Sequence, residues 1–493
     1  MPRVMAPRSP KHSAPASVPG PAPTADQRSV LRRTWPVLAA LVVAALVTWL
    51  MLGGAGVPRE TAYMAGIFVL AALLWVSEAL PLFATSLLVI GLQIVLLANP
   101  GGWAGFGFEG GGSPSYRSML STAADPVLVL FFGGFVLGSA AVKAGVDRAM
   151  SELLLRPFGQ EPRWILLGVM LVTLLFGMWM SNTATTAMML AIVTPMLAGL
   201  PAGEPFRKAL VLGVPFTANI SGMGTPIASP PNAVVVSSLR DAGYTVGFLD
   251  WMLMALPLTV GLTLFAWLIL GKIFAPTTPG LRFVLGSEKL TARGWLVVGV
   301  FTVTVLLWMS EGWHGLPPAV VALLPAVALT TTGIFTREDL KNVEWNILLL
   351  IAGGISLGAG MQLTGLDQVI VGWLPAGTGG FGLLALVTLG AVALGTFMSN
   401  TATANLFLPI GLSAAAAAPA SDLHPIQIGV SIALASAMSM ALPMSTPPNA
   451  MAYARGEFSA REMLYVSLPL ITVAILAIIF GGGLVMRLCG LID

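Results

Sequence analysis

Apolar runs close to or above bilayer-spanning length follow one another along the whole chain, and one polar phrase interrupts two of them in the same way. A helix needs about 20 apolar residues to cross a hydrocarbon core. The runs predict spans at about 35–53, 60–78, 80–98, 126–142, 206–239, 249–273, 293–311, 317–335, 345–364, 424–454 and 461–487. Two further stretches, about 163–200 and 380–417, carry the phrase in their middle. It reads Met180-Ser181-Asn182-Thr183-Ala184-Thr185, and again Met398-Ser399-Asn400-Thr401-Ala402-Thr403. Each stretch has enough residues for two short helices, which predicts a re-entrant hairpin with the phrase at its tip. Two ordinary tilted spans with a polar kink are the alternative, and hydropathy does not separate the two.

Each phrase has a proline-rich partner downstream. The partners are Gly224-Thr225-Pro226-Ile227-Ala228-Ser229-Pro230-Pro231-Asn232 and Ser445-Thr446-Pro447-Pro448-Asn449. Proline breaks helices. Broken backbone at membrane depth is tolerated only where protein buries it or where it lines a cavity. Four polar breaks, two per half, are therefore expected to converge on one binding site.

Composition and charge sharpen this picture. The chain of 493 residues is 56% hydrophobic and 9% charged, with a mean hydropathy of +0.88. So little charge cannot cover a soluble surface, and the expected class is an all-α polytopic membrane protein. Lys143, Arg148, Arg156, Arg163, Arg207, Lys208, Lys272, Arg337, Lys341, Arg455 and Arg461 fall on one side of an eleven-span topology. Only Arg59, Arg117, Arg240 and Arg487 fall on the other. Positive residues collect on the cytoplasmic side. This bias holds only if both hairpins return to the side they enter from. Arg32-Arg33 before the first run is read as the inside anchor of a helix rather than as an export signal. No basic stripe accompanies the net charge of +3, so no nucleic-acid partner is expected. One cysteine, Cys489, and three scattered histidines supply no metal-ligand spacing.

The halves repeat beyond the signature. Leu74-Trp75-Val76-Ser77-Glu78 matches Leu307-Trp308-Met309-Ser310-Glu311, and Gly133-Gly134 matches Gly353-Gly354. Five spans per repeat would turn the second upside down, the inverted arrangement of many secondary transporters. The expected organisation is a disordered cytoplasmic tail at 1–30, an extra N-terminal helix at 31–59 and repeat 1 at 60–273. A cytoplasmic linker at 274–292 and repeat 2 at 293–493 follow. The Gly-rich external loop from about 99 to 124 carries no assigned role.

The polar phrases offer hydroxyls, carboxamides and freed carbonyls. Such carbonyls suit a small cation, and half-helix N-termini suit an anion. No ionisable residue falls inside a hairpin core or a Pro-rich break; Glu78, Asp125, Glu311, Glu344 and Asp367 sit at predicted span ends. A proton-driven antiporter places an ionisable group in mid-membrane, so the pattern points to metal-ion coupling or to none. No His-Glu metal motif or nucleophile–base pair suggests an enzyme.

The paired Ser-Asn-Thr motif with its Gly-Thr-Pro and Thr-Pro-Pro-Asn breaks resembles the divalent anion–sodium symporters, the Na-dependent dicarboxylate group of solute carrier 13. The resemblance covers about residues 30 to 490. It implies a homodimer, and the charge bias places the N-terminus in the cytoplasm and the C-terminus outside the cell inner membrane. It also implies a fixed scaffold and a mobile domain that carries substrate by an elevator motion. Sodium would be the co-substrate. The first sodium site would use Ser181, Asn182 and carbonyls near Gly224, and the second Ser399, Asn400 and carbonyls near Ser445. The anion would meet Asn182, Thr183 and Thr225 on one side and Asn400, Thr401, Thr446 and Pro447 on the other. Gly177 and Gly395 can offer only backbone oxygen, a possible departure from the family. A C4-dicarboxylate is the expected substrate, with a sodium-independent exchanger and an ion antiporter as alternatives.

Overall fold

Each apolar run is helical in the computed structural model, which describes residues 27–54, 56–278, 289–373, 379–417 and 423–492. No strand occurs among the described residues. Most of the expected tail, 1–26, and most of the linker, 279–288, lie outside them. The first helix runs Gln27–Gly54, so it begins a few residues earlier than the expected boundary at 31.

Seven described helices are long and apolar enough to span on their own, and shorter apolar helices lie between them. The short ones have a local cause. The stretch 163–200 is two helices, Pro162–Gly177 and Asn182–Ala198. The stretch 380–417 is likewise Gly380–Gly395 and Asn400–Ala417. The runs with Pro-Pro-Asn are broken as well, into Phe206–Ser221 and Pro230–Asp241, and into Pro425–Ala437 and Pro447–Tyr453. In each, proline opens the second half-helix. Proline suits that position because its missing N–H would have no intrahelical partner there.

The broken halves cross between repeats. Pro230–Asp241 packs on Pro425–Ala437 and Asn400–Ala417, whereas Pro447–Tyr453 packs on Asn182–Ala198 and Phe206–Ser221. Each second half-helix thus leaves its own repeat and lies against the hairpin of the other. This crossing draws all four breaks together.

Matching residues do matching work in the two halves. Trp75 and Trp308 are fully buried. Their indole N–H groups donate to Leu82 O at 3.3 Å and Pro318 O at 2.9 Å, Leu82 and Pro318 each being the first residue of a later helix. A Cβ on Gly133 would lie 2.5 Å from the Ala322 carbonyl oxygen, and one on Gly353 would overlap Ser86. Both glycines therefore permit close helix packing.

Long-range ties join segments that the charge bias had put on one side. Arg207 grips Glu457 with two nitrogens at 2.9 and 2.5 Å, Lys208 pairs with Glu462 at 2.5 Å, and Lys143 with Asp339 at 2.5 Å. On the opposite side, Arg240 pairs with Asp125 at 2.7 Å. There the 99–124 loop is tied down by Tyr63 Oη donating to Gly105 O at 2.7 Å. Asn99 ends its helix in the left-handed region, φ 47°, and its side chain holds Trp103 and Phe106. The amphipathic helix Val146–Leu155 and the short Leu366–Val371 follow the Gly-Gly helices. Hydropathy gave no sign of them because Asp147, Arg148, Ser151 and Glu152 interrupt the first.

Candidate binding site

The four breaks open on one cavity of about 450 Å3, within the range of small-molecule sites. Ser181, Asn182 and Thr183 line it from the first hairpin, and Ser399, Asn400 and Thr401 from the second. Ser445, Thr446 and Pro447 line it from the second broken span, and Ser229 and Pro230 from the first. Phe131, Phe135 and Ile347 contribute apolar wall.

Helix starts dominate the lining. Ser181 caps Asn182–Ala198 by accepting the Ala184 N–H at 3.3 Å. Ser399 accepts the Ala402 N–H at 3.1 Å in the same way. Thr446 accepts the Asn449 N–H at 3.4 Å. Serine and threonine favour such positions because their side-chain oxygen satisfies an otherwise orphaned amide. A helix start carries roughly half a positive charge. Asn182, Pro230, Asn400 and Pro447, each the first residue of a helix, all line the cavity.

Two atoms say more than the caps. Asn182 Oδ1 and Asn400 Oδ1 are both buried, and neither has a hydrogen-bond partner. Leaving a buried acceptor unmade costs about 1–3 kcal/mol. The same unpaired oxygen at the same place in both repeats is what a cation would satisfy. A Cβ on Gly222 would lie 2.8 Å from Asn182 Nδ2, so that glycine gives the amide its room.

The repeated Pro-Pro-Asn asparagines are scaffolding rather than lining. Asn232 Nδ2 donates to Gly222 O and Thr225 O, both at 2.8 Å. Asn449 Nδ2 donates to Met440 O at 3.1 Å and Leu442 O at 3.0 Å. Each ties its helix start back to the preceding broken loop and fixes the loop's shape.

Of the residues expected to bind, Thr225 and Gly224 are seated away from the cavity. Thr225 is fully buried and donates to Met178 O at 2.6 Å. A Cβ on Gly224 would lie 2.7 Å from Met178 Cγ. Both hold the first hairpin tip instead. The reason is register. Ser229 stands three residues before Asn232, as Thr446 stands before Asn449. Counting back from Pro-Pro-Asn places Ser229 in the lining, whereas matching Thr-Pro to Thr-Pro picks Thr225.

The lining also includes Asn219, Glu344 and Asn346, which the polar phrases do not announce. Asn219 precedes the first break by a few residues, and its spacing to the Pro-Pro-Asn phrase has no equivalent asparagine in repeat 2. Glu344 sits at the start of Trp345–Thr364, and hydropathy reads that position as a span end. Trp179, beside the first phrase, stacks on Phe248 at 6.1 Å and meets Phe301 edge-on at 5.6 Å. Its repeat counterpart Phe397 is 75% exposed.

Comparison with known proteins decides the family. The family described as CitMHS, citrate transporter, matches residues 72–433 and 305–490. The chain belongs to the citrate transporter family. This family member is a membrane transporter and not an enzyme. It is 30% identical to an uncharacterised transporter of Haemophilus influenzae, with 85% of this chain and 91% of that protein covered. It is 27% identical to the sodium-dependent dicarboxylate transporter SdcS of Staphylococcus saprophyticus, over 84% and 86% of the two chains. The yeast relatives are longer. The chain spans about half the length of an uncharacterised Schizosaccharomyces pombe transporter. It is 30% identical to the Saccharomyces cerevisiae inorganic phosphate transporter PHO87, over 69% of this chain and 37% of that one. Among solved structures, the Alcanivorax borkumensis YdaH transporter aligns with a TM-score of 0.53 at 14% identity, covering 93% and 98% of the two chains. That likeness is one of fold. The dicarboxylate relatives agree with the resemblance to sodium-coupled divalent anion symporters.

Proposed function

We propose that this transporter is a sodium-coupled symporter of a divalent anion, most simply a C4-dicarboxylate. One observation carries the reading. Asn182 Oδ1 and Asn400 Oδ1 are buried and unpartnered in one cavity, and each amide can turn its oxygen to a cation and its nitrogen to a carboxylate. The cavity lining holds no lysine, arginine or histidine. A dianion there must draw its compensating charge from helix starts and from co-transported cations. The dicarboxylate relatives named sodium-dependent support the same reading.

In this reading one sodium lies at Ser181 and Asn182 and another at Ser399 and Asn400. Ser445 and the carbonyls of the breaks complete the sites. The anion lies between Asn182, Thr183, Ser229, Asn400, Thr401, Thr446 and Pro447. The protein works as a homodimer in the inner membrane with its N-terminus cytoplasmic. The hairpins and broken spans move together past the remaining helices in an elevator motion. Reciprocal linkage requires that sodium raise anion affinity and that the anion raise sodium affinity equally.

The test is uptake of labelled succinate into vesicles holding the purified protein, with sodium, potassium or a proton gradient. Sodium-dependent uptake of more than one positive charge per anion is expected. Full uptake driven by protons without sodium rejects the reading. Citrate and inorganic phosphate serve as competitors, phosphate because of the PHO87 likeness.

A further inference from the structure

Glu344 brings a carboxylate to the cavity from outside both hairpins and both broken spans. It is the one residue of the cavity lining with a charged side chain. It also lines a neighbouring cavity of about 330 Å3, and so does Ser181. Together with Phe135, which also lines both, the two residues form the wall between the cavities.

Their polar atoms are mostly acceptors. Ser181 brings its hydroxyl oxygen to the wall it shares with Glu344. The same oxygen accepts the Ala184 N–H at 3.3 Å. A hydroxyl has one donor and two acceptor positions, so one lone pair of Ser181 remains. Next to it in sequence stands Asn182, whose Oδ1 is buried without a partner. A carboxylate, a hydroxyl lone pair and an amide oxygen thus stand as acceptors along one stretch of cavity wall. A cation satisfies such a set of oxygens.

The second site lacks such an acid. Ser399 and Asn400 present the same hydroxyl and the same unpaired amide oxygen. The acid at the head of the helix matching Trp345–Thr364 is Asp125, before Pro126–Lys143. Asp125 is already engaged by Arg240 at 2.7 Å, Ser237 at 3.0 Å and its own cap to Val127 at 2.8 Å. It does not line the cavity. At the first site, the charged groups sharing the second cavity with Glu344 are Lys143 and Asp339. They pair with each other at 2.5 Å, so Lys143 is committed elsewhere.

We propose that Glu344 completes the cation site at Ser181 and Asn182, making it the tighter of two unequal sodium sites. This rests on the sodium-coupled reading above. The carboxylate adds a full negative charge where the second site has only neutral oxygens, and at cavity depth such a charge is weakly screened. Sodium is therefore held first at the Ser181 and Asn182 site. Its charge also shields the incoming dianion from Glu344, which would repel the anion at an unfilled site.

The experiment measures succinate uptake against sodium concentration at fixed pH in vesicles holding the full chain. It compares native protein with Glu344→Gln, Glu344→Ser and Glu344→Asp. Both neutral variants are expected to raise the half-saturating sodium concentration at least tenfold and to keep most of the maximal rate at saturating sodium. Glu344→Asp is expected to stay within threefold of native. A purely structural role predicts lower maximal rate with unmoved sodium dependence, and a neutral variant within twofold of native overturns the proposal. Glu344→Ser serves if Glu344→Gln does not fold. A native protein indifferent to sodium overturns this proposal together with the proposed function. A sodium-dependent native protein with unmoved neutral variants overturns this proposal alone.

Discussion

Asn219 Nδ2 donates to Thr446 Oγ1 at 3.2 Å and to Asn449 Oδ1 at 3.0 Å, across 227 residues of chain in the first case. The first broken span thereby fixes the cap of the second, at the point where both meet the cavity. Asn219→Ala would leave two buried acceptors without this donor. The expected cost is about 1–3 kcal/mol of stability, with anion affinity falling as well because Thr446 loses its orientation. Melting in detergent and succinate binding check both parts. Native affinity in a folded Asn219→Ala protein would separate the cross-link from the site.

Two glycines make room for two serines. A Cβ on Gly177 would overlap Ser221 Oγ and lie 2.8 Å from Ser221 Cβ; one on Gly395 would overlap Ser439 Oγ and lie 2.8 Å from Ser439 Cβ. Rotating the serine relieves the first clash and not the second. Gly177→Ala and Gly395→Ala are each expected to cost about 1–3 kcal/mol, as overpacking does, and to reduce uptake by displacing a hairpin tip. Ser221→Gly should restore part of the loss in Gly177→Ala, whereas Ser221→Ala should not. Equal recovery by both would place the strain elsewhere.

Glu204 holds the end of a span from a distance. Its carboxylate accepts the Thr277 N–H at 2.8 Å and the Thr278 N–H at 3.1 Å, and both threonine hydroxyls, at 2.9 and 2.5 Å. Burial pushes this carboxyl up, but the threonine bonds outweigh it and pull it down to about 2 from 4.5. A depressed carboxyl contributes stability that is fully present above its unfolded pKa and is lost as pH falls through the folded one. The stability difference between native protein and Glu204→Gln should therefore be constant above about pH 5.5 and shrink between about 4.5 and 2. Detergent melting curves across that range test it. A difference that persists unchanged at the acid end would assign the effect to packing.

The spans were legible because bilayer physics writes them in bold. Trp345–Thr364 and Phe248–Ile273 lie within a residue of where hydropathy put them. The helix breaks were legible too, since the paired prolines at Pro230 and Pro447 suit a helix start, whereas single prolines such as Pro215 and Pro409 lie inside unbroken helices. The hairpin phrases pointed to Ser181, Asn182, Ser399 and Asn400, all of which reach the cavity. What sequence concealed was register and depth. Thr225 looked equivalent to Thr446 because Thr-Pro repeats, yet the helix start that matters is counted from Asn232. Glu344 looked like a span end because hydropathy measures distance along the chain. The helix it heads starts inside the protein at a cavity wall. Asn219 has no repeat partner, so no internal match could mark it.

Asn182 and Asn400 give the sharpest test of the site. Each offers a buried amide oxygen with no partner, from the first turn of a helix that starts at the cavity. Asn182→Asp keeps the size and the oxygen, so sodium should still bind, and the added charge should favour it. The lost amide nitrogen and the gained charge both act against the dianion. Asn400→Asp should behave alike from the opposite wall. Thr183→Ala and Thr401→Ala each remove one neutral hydrogen bond, worth about 0.5–1.5 kcal/mol net, or roughly a twofold to twelvefold loss in affinity. The expected order is therefore both aspartate variants well below both alanine variants in succinate uptake, with near-native folding in all four. Glu344 adds a difference between the aspartates. It already lines the cavity beside Ser181, so Asn182→Asp sets two carboxylates together and should transport less than Asn400→Asp. Uptake and sodium-dependent succinate binding on folded protein measure the series. Near-native transport by either aspartate variant would remove that asparagine from the anion site, and equal loss in the two would remove Glu344 from the first.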